Sequence, residues 1–469
     1  MTSQEHLGAT LVLGLGRTGE ATARYLASLL GTRVDSVTLY GGASSQESDR
    51  TRALEELGVR VVCGTEEVEG DYDLAVASPG IPVDAPFFRS AAARSREVVG
   101  EPELAFRESP ERWVAITGTN GKTTTTSLAA HLLRAGGLDA QAVGNIGTPP
   151  VEALTSRAEG SWFVAELSSF QLATTRLFRP RVAVLLNVTP DHLEWHHTME
   201  AYAEAKERAF ANLGVGDLAV VSVDDEWCRA VADRCEGRGL RVCRLSVAGE
   251  PDGPCAAFLR EGTLVVRLDG AEHELVAASD LKIFGLHNAE NALAAAAVAL
   301  ELGAGEKDVR SGLVSFQPIE HRIEPAGEVA GVRYVNDSKA TNTDSVEKAL
   351  TAFEAGSVVV LLGGHDKMTD LASLADAVCA RCRAAVCFGD AGERIAAALE
   401  RARAASGAPL EVLRAPHLRE AFDAAVRAAR PGETVLLSPA CSSFDEFSNM
   451  AERGRLFKDL VRALATGEE

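Results

Sequence analysis

Residues 113–130 read WVAITGTNGKTTTTSLAA, and few folds accommodate such a stretch. A short apolar run leads into a glycine-bounded turn. A Thr- and Ala-rich run free of Pro and Gly follows. That is the pattern of a strand, a tight loop and a helix. A loop in this position offers backbone N–H groups and a helix N-terminus, which together bind phosphate. Its spacing is irregular. The common phosphate-binding loop is G-x-x-x-x-G-K-[ST]. Counting back from Gly121-Lys122-Thr123, the first Gly belongs at Ile116, but it stands at Gly118. The shorter loop keeps the chemistry. Gly118, Thr119, Asn120 and Gly121 can wrap with N–H groups inward, and Lys122 supplies a charge for the β- and γ-phosphates. Thr123 offers a hydroxyl to Mg²⁺, and Thr124 continues the helix start. A Thr-rich turn with no ligand would not require Lys directly after Gly.

A second glycine loop, Gly14-x-Gly16-x-x-Gly19, also follows a strand and opens a helix. It fits the dinucleotide fingerprint, but NAD needs an acid at the end of the second strand. That strand, DSVTLYGG, ends at Tyr40-Gly41, so an NAD-dependent oxidoreductase is the weaker reading. The helix N-terminus still suits a diphosphate, with Gly16, Arg17 and Thr18 nearest to it. The alternative is a tight turn without ligand. Ser78-Pro79-Gly80 ends another strand at the sheet edge where ligands of α/β proteins bind.

The strand–turn–helix pattern repeats along all 469 residues, too many for one core. It predicts an α/β chain of three domains with mainly parallel sheets, over residues 1–106, 107–318 and 319–469. The first and third are expected to be Rossmann-like and the second P-loop ATPase-like. A more β-rich part is expected within the second, through DLAVVSVDDE, RVCRLSV and GTLVVRL. The helix HNAENALAAAAVALELG then ends at Gly303, a suitable C-cap.

Charge and cysteine usage narrow the partners. The net charge of −20 argues against nucleic acid. No apolar run reaches the roughly 18 residues of a membrane span. The N-terminus lacks a secretory pattern, and nine scattered cysteines make no disulfide framework. A reduced, cytoplasmic protein is expected. Cys379-x-x-Cys382 and His192-x-x-x-His196-His197 each invite a zinc reading, but nothing nearby completes either set. Glu166 ends the strand SWFVAE beside the loop and is the best Mg²⁺ partner; Asp191-His192 ends VAVLLNVTP in the same way. By sequence alone, Lys206 in AYAEAKERAF reads as a solvated helix lysine.

Taken together, TGTNGKTTT, GNIG, AELSSFQL, NVTPDHLEWH, HNAENALAA, HR at His321-Arg322, NDSKATN, LLGGHDK and LLSPACSSFDEF occur in the order of the Mur ligase family. The chain resembles that family over nearly its whole length, and most of all its glutamate-adding branch. The resemblance implies an ATP-dependent ligase that adds D-glutamate to UDP-N-acetylmuramoyl-L-alanine (UDP-MurNAc-L-Ala) through an acyl phosphate. The first domain would then bind UDP. ATP and two Mg²⁺ ions are implied, with no further partner and a monomeric state.

Residue by residue, the resemblance gives Lys122 and the loop amides to the ATP phosphates. It gives Thr123 and Glu166 to one Mg²⁺, and His192 with a carbamylated Lys206 to the second. It places Asn288, Asn291, Arg322 and Asp337 around adenine and ribose, and Asn145 and His192 on the acyl substrate. Lys339, Thr341, Lys367 and Ser443 fall near the γ-phosphate or the incoming glutamate, with Lys339 counted as catalytic. Met450 stands where the branch usually carries Phe. Sibling ligases adding lysine or diaminopimelate carry a DNPR segment that this chain lacks, and a folylpolyglutamate-type ligase would lack the N-terminal domain.

Overall fold

Trp113–Thr117, the run before the short loop, is a strand buried along its whole length. That is what a parallel sheet covered by helices on both faces demands. In the computed structural model, residues 6–366 and 368–467 are described. Lys367 lies outside them.

Three sheets organise the chain. The first contains β1 (Gly8–Leu13), β2 (Val34–Tyr40), β3 (Val59–Val62), β4 (Tyr72–Ala77) and β5 (Ser95–Gly100). All its pairs are parallel, in the order β3-β2-β1-β4-β5. The order reverses between β1 and β4, so the loops leaving those two strands form the crevice of a doubly wound sheet.

The second sheet contains β6 (Trp113–Thr117), β7 (Ala140–Gly144), β8 (Trp162–Glu166), β9 (Val182–Leu185), β10 (Leu218–Ser222), β11 (Arg241–Ser246), β12 (Ala256–Arg260), β13 (Thr263–Leu268) and β14 (Ala271–Ala277). Its order is β14-β13-β12-β11-β10-β9-β6-β8-β7. It is parallel from β7 to β12, and β13 and β14 extend it as an antiparallel meander.

The third contains β15 (Glu324–Val329), β16 (Val332–Asn336), β17 (Val358–Gly363), β18 (Cys382–Phe388), β19 (Glu411–Arg414) and β20 (Thr434–Ala440). It is ordered β15-β16-β20-β17-β18-β19, and only β15 runs antiparallel. The α/β architecture with mainly parallel sheets is therefore as the sequence predicts. The meander occupies the expected β-rich part, and the helix Leu286–Glu301 stops before Gly303, whose φ is +96°.

The chain divides into two compact units. One takes residues 1–278 and 290–314; the other takes 279–289 and 315–469. The first unit holds both the first and the second sheets, and two buried glutamates tie them. Glu103 accepts from the amides of Arg176, Leu177 and Phe178 at 2.9–3.0 Å. Its own helix returns Arg107 Nε at 2.8 Å. Four donors on one carboxylate offset its burial. Glu101 accepts from the Val151 amide at 2.6 Å, and burial pushes its carboxyl up to about 8. Among the described residues no helix is long and apolar enough to cross a membrane.

Candidate functional site

The loop between β6 and the helix Lys122–Ala135 is held from outside. Thr119 N donates to Asn187 O at 2.8 Å, and Asn120 N donates to Asn187 Oδ1 at 2.8 Å. Thr119 Oγ1 accepts from Thr189 N at 2.9 Å and lies 3.1 Å from the Tyr202 hydroxyl. Both glycines are required by conformation: φ is +151° at Gly118 and +83° at Gly121. A Cβ on Gly121 would lie 2.3 Å from Asn291 Oδ1, which accepts from Thr125 Oγ1 at 3.1 Å. Gly121→Ala is expected to cost about 1–2 kcal/mol from the left-handed backbone alone, plus the clash. A lowered urea midpoint together with weaker nucleotide binding would bear this out; wild-type values for both would count against it.

Two lysine amines converge on one carbonyl. Lys122 Nζ donates to Gly118 O at 2.9 Å and to Thr119 O at 2.7 Å. Lys206 Nζ donates to the same Gly118 O at 2.7 Å. Lys206 is 1% exposed, so the solvated-lysine reading fails. Its helix, Met199–Glu207, turns it inward, and its amine sits 4.4 Å over the Tyr202 ring. Burial, and secondarily the Lys122 charge, hold its pKa well below the ordinary lysine value. Both effects disfavour the protonated form, and a lysine amine is nucleophilic once unprotonated.

Acidic and polar groups complete this region. Glu166, at the end of β8, is 1% exposed; Oε1 accepts from Asn145 Nδ2 at 2.8 Å, while Oε2 is buried without a partner. A bare buried carboxylate oxygen is costly unless a cation or donor meets it. Thr123 and Thr124 are buried on the first turn of the loop helix. His192 has φ +55°, lies 3.6 Å from both the Asp191 and the Glu194 carboxylates, and packs edge-on to Phe170. The other two histidines point elsewhere. His196 Nε2 lies 2.8 Å from Ser169 Oγ, and burial followed by the Lys206 charge pushes its pKa down to about 4. His197 bonds Asp84 at 3.0 Å. Among the described residues no three His, Cys, Asp or Glu side chains gather as an all-protein cage would require. Mg²⁺ bound together with phosphate needs only one or two protein carboxylates, and Thr123 with Glu166 fits that demand.

At the first sheet, the loops after β1 and β4 meet where Ser78 N donates to Leu13 O at 3.0 Å. A Cβ on Gly19 would strike Gly14 O at 1.9 Å, so Gly19 serves the tight turn. A Cβ on Gly16 would meet nothing within 4 Å, which leaves open backbone for a ligand. Ser78 Oγ is buried without a partner, Thr18 and Pro79 are half-buried, and Arg17 and Gly80 are exposed.

The second unit holds another group. Asp337 follows β16; its Oδ1 accepts from Ile323 N at 3.2 Å and its Oδ2 from Ser438 Oγ at 2.7 Å. Burial pushes its carboxyl up to about 6. Arg322 Nε is buried without a partner. Lys339 N donates to His321 O at 3.0 Å, and Asn288 Nδ2 donates to Phe284 O at 2.8 Å. Thr341 is half-buried, Ser443 is buried, and Met450 opens the helix Met450–Thr466. The sequence reading missed Arg453, Ser338, Asn187 and the inward turn of Lys206. A charged or hydroxyl residue carries no local sign of what will surround it.

Comparison with known proteins follows the same lines. Residues 116–299 match the Mur ligase middle domain, and residues 321–441 match the Mur ligase glutamate ligase domain. A UDP-N-acetylmuramoylalanine–D-glutamate ligase of Geobacter metallireducens is 41% identical over 98% of both chains. Its counterpart from Koribacter versatilis is 38% identical, again over 98% of both. The solved structure of UDP-N-acetylmuramate-alanine ligase MurC from Thermotoga maritima has a TM-score of 0.58 at 21% identity, covering 97% of this chain and 99% of that one. MurF from Acinetobacter baumannii gives 0.60 at 16% identity, covering 91% and 90%. These two similarities concern the fold.

Proposed function

The chain belongs to the Mur ligase family, and from that premise we propose that it joins D-glutamate to UDP-N-acetylmuramoyl-L-alanine with ATP, releasing ADP and phosphate in peptidoglycan precursor synthesis. The observation that carries this reading is the Gly118 carbonyl shared by Lys122 and Lys206. The short loop is built around two amines, one of them buried, and Glu166 ends a strand of the same sheet with a bare carboxylate oxygen. An apolar turn or a simple nucleotide-binding loop needs no such arrangement.

In the reaction, the alanyl carboxylate attacks the γ-phosphorus of ATP. An O–P bond forms and the bond to ADP breaks, which turns a poor leaving group into an acyl phosphate. The amine of D-glutamate then attacks the acyl carbon, and phosphate departs from the tetrahedral intermediate. Lys122 and the loop amides hold the γ-phosphate and offset its charge as it transfers. Thr123 Oγ1 and Glu166 would hold one Mg²⁺, and His192 with Lys206 a second; when bound, these ions would supply positive charge that offsets the charge of the transferring phosphoryl group. The unprotonated form of the Lys206 amine adds to CO₂: an N–C bond forms, one C–O π bond opens, a proton leaves to water, and the amine becomes a carboxylate-like donor. That conversion sets a negative group near the Lys122 charge, which acts on this position. Asn145, held by Glu166, faces the acyl substrate together with His192.

In the second unit, Asp337 and Arg322 would hold the ribose and Asn288 the adenine. Lys339, Thr341, Lys367 and Ser443 would receive the two carboxylates of glutamate, and Met450 would supply apolar surface to the same substrate. Asn291, which supports the loop through Thr125, would act on ATP through the loop as well as through the base. The crevice lined by Gly16, Arg17, Thr18, Ser78, Pro79 and Gly80 would hold the UDP. The proposal includes a cytoplasmic location, a monomeric state and domains over 1–106, 107–318 and 319–469.

Phosphate release measured with UDP-MurNAc-L-alanine and Mg-ATP, against D-glutamate, L-glutamate, L-lysine and diaminopimelate side by side, tests the proposal. Release with D-glutamate alone is expected. Release with lysine only, or with none of the four, would overturn it.

A further inference from the structure

The helix Met450–Thr466 carries an arginine into the interior of the second unit. Arg453 is 0% exposed, and its acceptors are all neutral. Nε donates to Ser338 Oγ at 3.0 Å, Nη2 to Ser338 O at 2.9 Å and Cys441 O at 3.1 Å, and Nη1 to Ser442 O at 3.3 Å. Burying a charge with no carboxylate against it costs more than an apolar side chain of similar volume would. Such an arrangement calls for a task beyond packing.

The sheet order points to that task. Strands β16, β20 and β17 lie side by side. Ser338 follows β16, and Cys441-Ser442 follows β20. Ser442 O also accepts from His365 N at 2.9 Å, which adds the segment after β17. One guanidinium therefore fixes the exits of three adjacent parallel strands, the edge where α/β sheets bind ligands. The packing there leaves no room: a Cβ on Gly364, whose φ is +129°, would lie 2.3 Å from Ser442 O and 3.0 Å from Arg453 Nη1. Ser338 Oγ in turn donates to Met450 O at 2.7 Å, tying the start of the helix that bears Arg453.

We propose that Arg453 is a positioning residue for the incoming amino acid. It sets the Ser338 and Ser442 loops, and through them Lys339, Thr341, Ser443 and Met450, without touching substrate itself. The identity of that amino acid as D-glutamate rests on the function proposed above.

Arg453→Met and Arg453→Lys, made in the full chain, test this. The Met variant is expected to raise KM for D-glutamate about tenfold while KM for UDP-MurNAc-L-alanine stays within about twofold, and the Lys variant to recover part of the loss. An unchanged KM for glutamate, or equal rises for both substrates, would overturn the inference. Should Arg453→Met fail to fold, Ser338→Ala, which removes only the hydroxyl link, must show the same selective rise at smaller size, or the inference falls. If the wild-type enzyme shows no glutamate-dependent turnover, the functional reading fails instead. The inference is then read from amide exchange in Arg453→Lys. Faster exchange confined to residues 338–342 and 441–443 supports it, and uniform acceleration through β16 and β20 refutes it.

Discussion

Lys206→Ala should abolish ligation while leaving the protein as stable as before, or more so. The two halves of that outcome have different causes. The loss of activity, on the order of 10²–10³-fold or more, follows from removing a group that acts on charge in the transition state. The retained stability follows from burial. Lys206 is 1% exposed, and burial followed by the nearby Lys122 charge holds its pKa well below the ordinary lysine value. The folded state therefore binds this proton more weakly than the unfolded state does. The resulting cost is full below the lowered folded pKa, shrinks as pH rises, and is gone above the unfolded value of about 10.4. In CO₂-free buffer, wild-type stability should gain on the Ala variant as pH rises through that window. Urea midpoints of both proteins across pH measure this. Short added carboxylates should restore part of the activity by standing in for the carbamate. Normal turnover by the variant would remove Lys206 from the mechanism altogether.

Lys122→Ala should lose about 10²–10³-fold in kcat, because the charge facing the transferring phosphoryl group is gone. It should also act on Lys206. The Lys122 charge is the second cause of the lowered Lys206 pKa, so its removal leaves Lys206 more protonated and less reactive toward CO₂. The double variant should then lose far less than the product of the single losses, as residues that act as a unit do. A kinetic cycle at fixed bicarbonate measures the coupling. Strictly multiplicative losses would mean that the shared Gly118 carbonyl is a coincidence of geometry.

How much of this is legible in the sequence depends on how local each determinant is. Trp113–Thr117 is a strand and Lys122 starts a helix because apolar run, glycine turn and helix formers lie next to one another in the chain. The Gly118 and Gly121 requirement is equally local, since positive φ is a backbone property. β5 is harder to read: its first half, Ser95-Arg96-Glu97, lies at a sheet edge and carries polar residues an edge tolerates. The antiparallel direction of β13 and β14 likewise depends on pairing, which residue pattern does not specify. The burial of Lys206, Arg453 and Asn291 is opaque for a third reason. Each is a polar residue on a helix, and only the tertiary fold decides whether that face meets water or a loop. For Lys206 the motif order points to the loop, and the structure buries its amine against the Gly118 carbonyl.

The carboxylate of Glu103, gripped by three consecutive amides of Arg176–Phe178, has a consequence for swapping parts between relatives. Backbone amides are present whatever the sequence at 176–178, whereas the acid that meets them comes from the N-terminal segment alone. A chimera taking its first sheet from a relative would keep this seam only if the donor places a carboxylate there. Exchange of the amino-terminal segment therefore turns on the acids at positions 101 and 103, each of which meets backbone amides of the recipient.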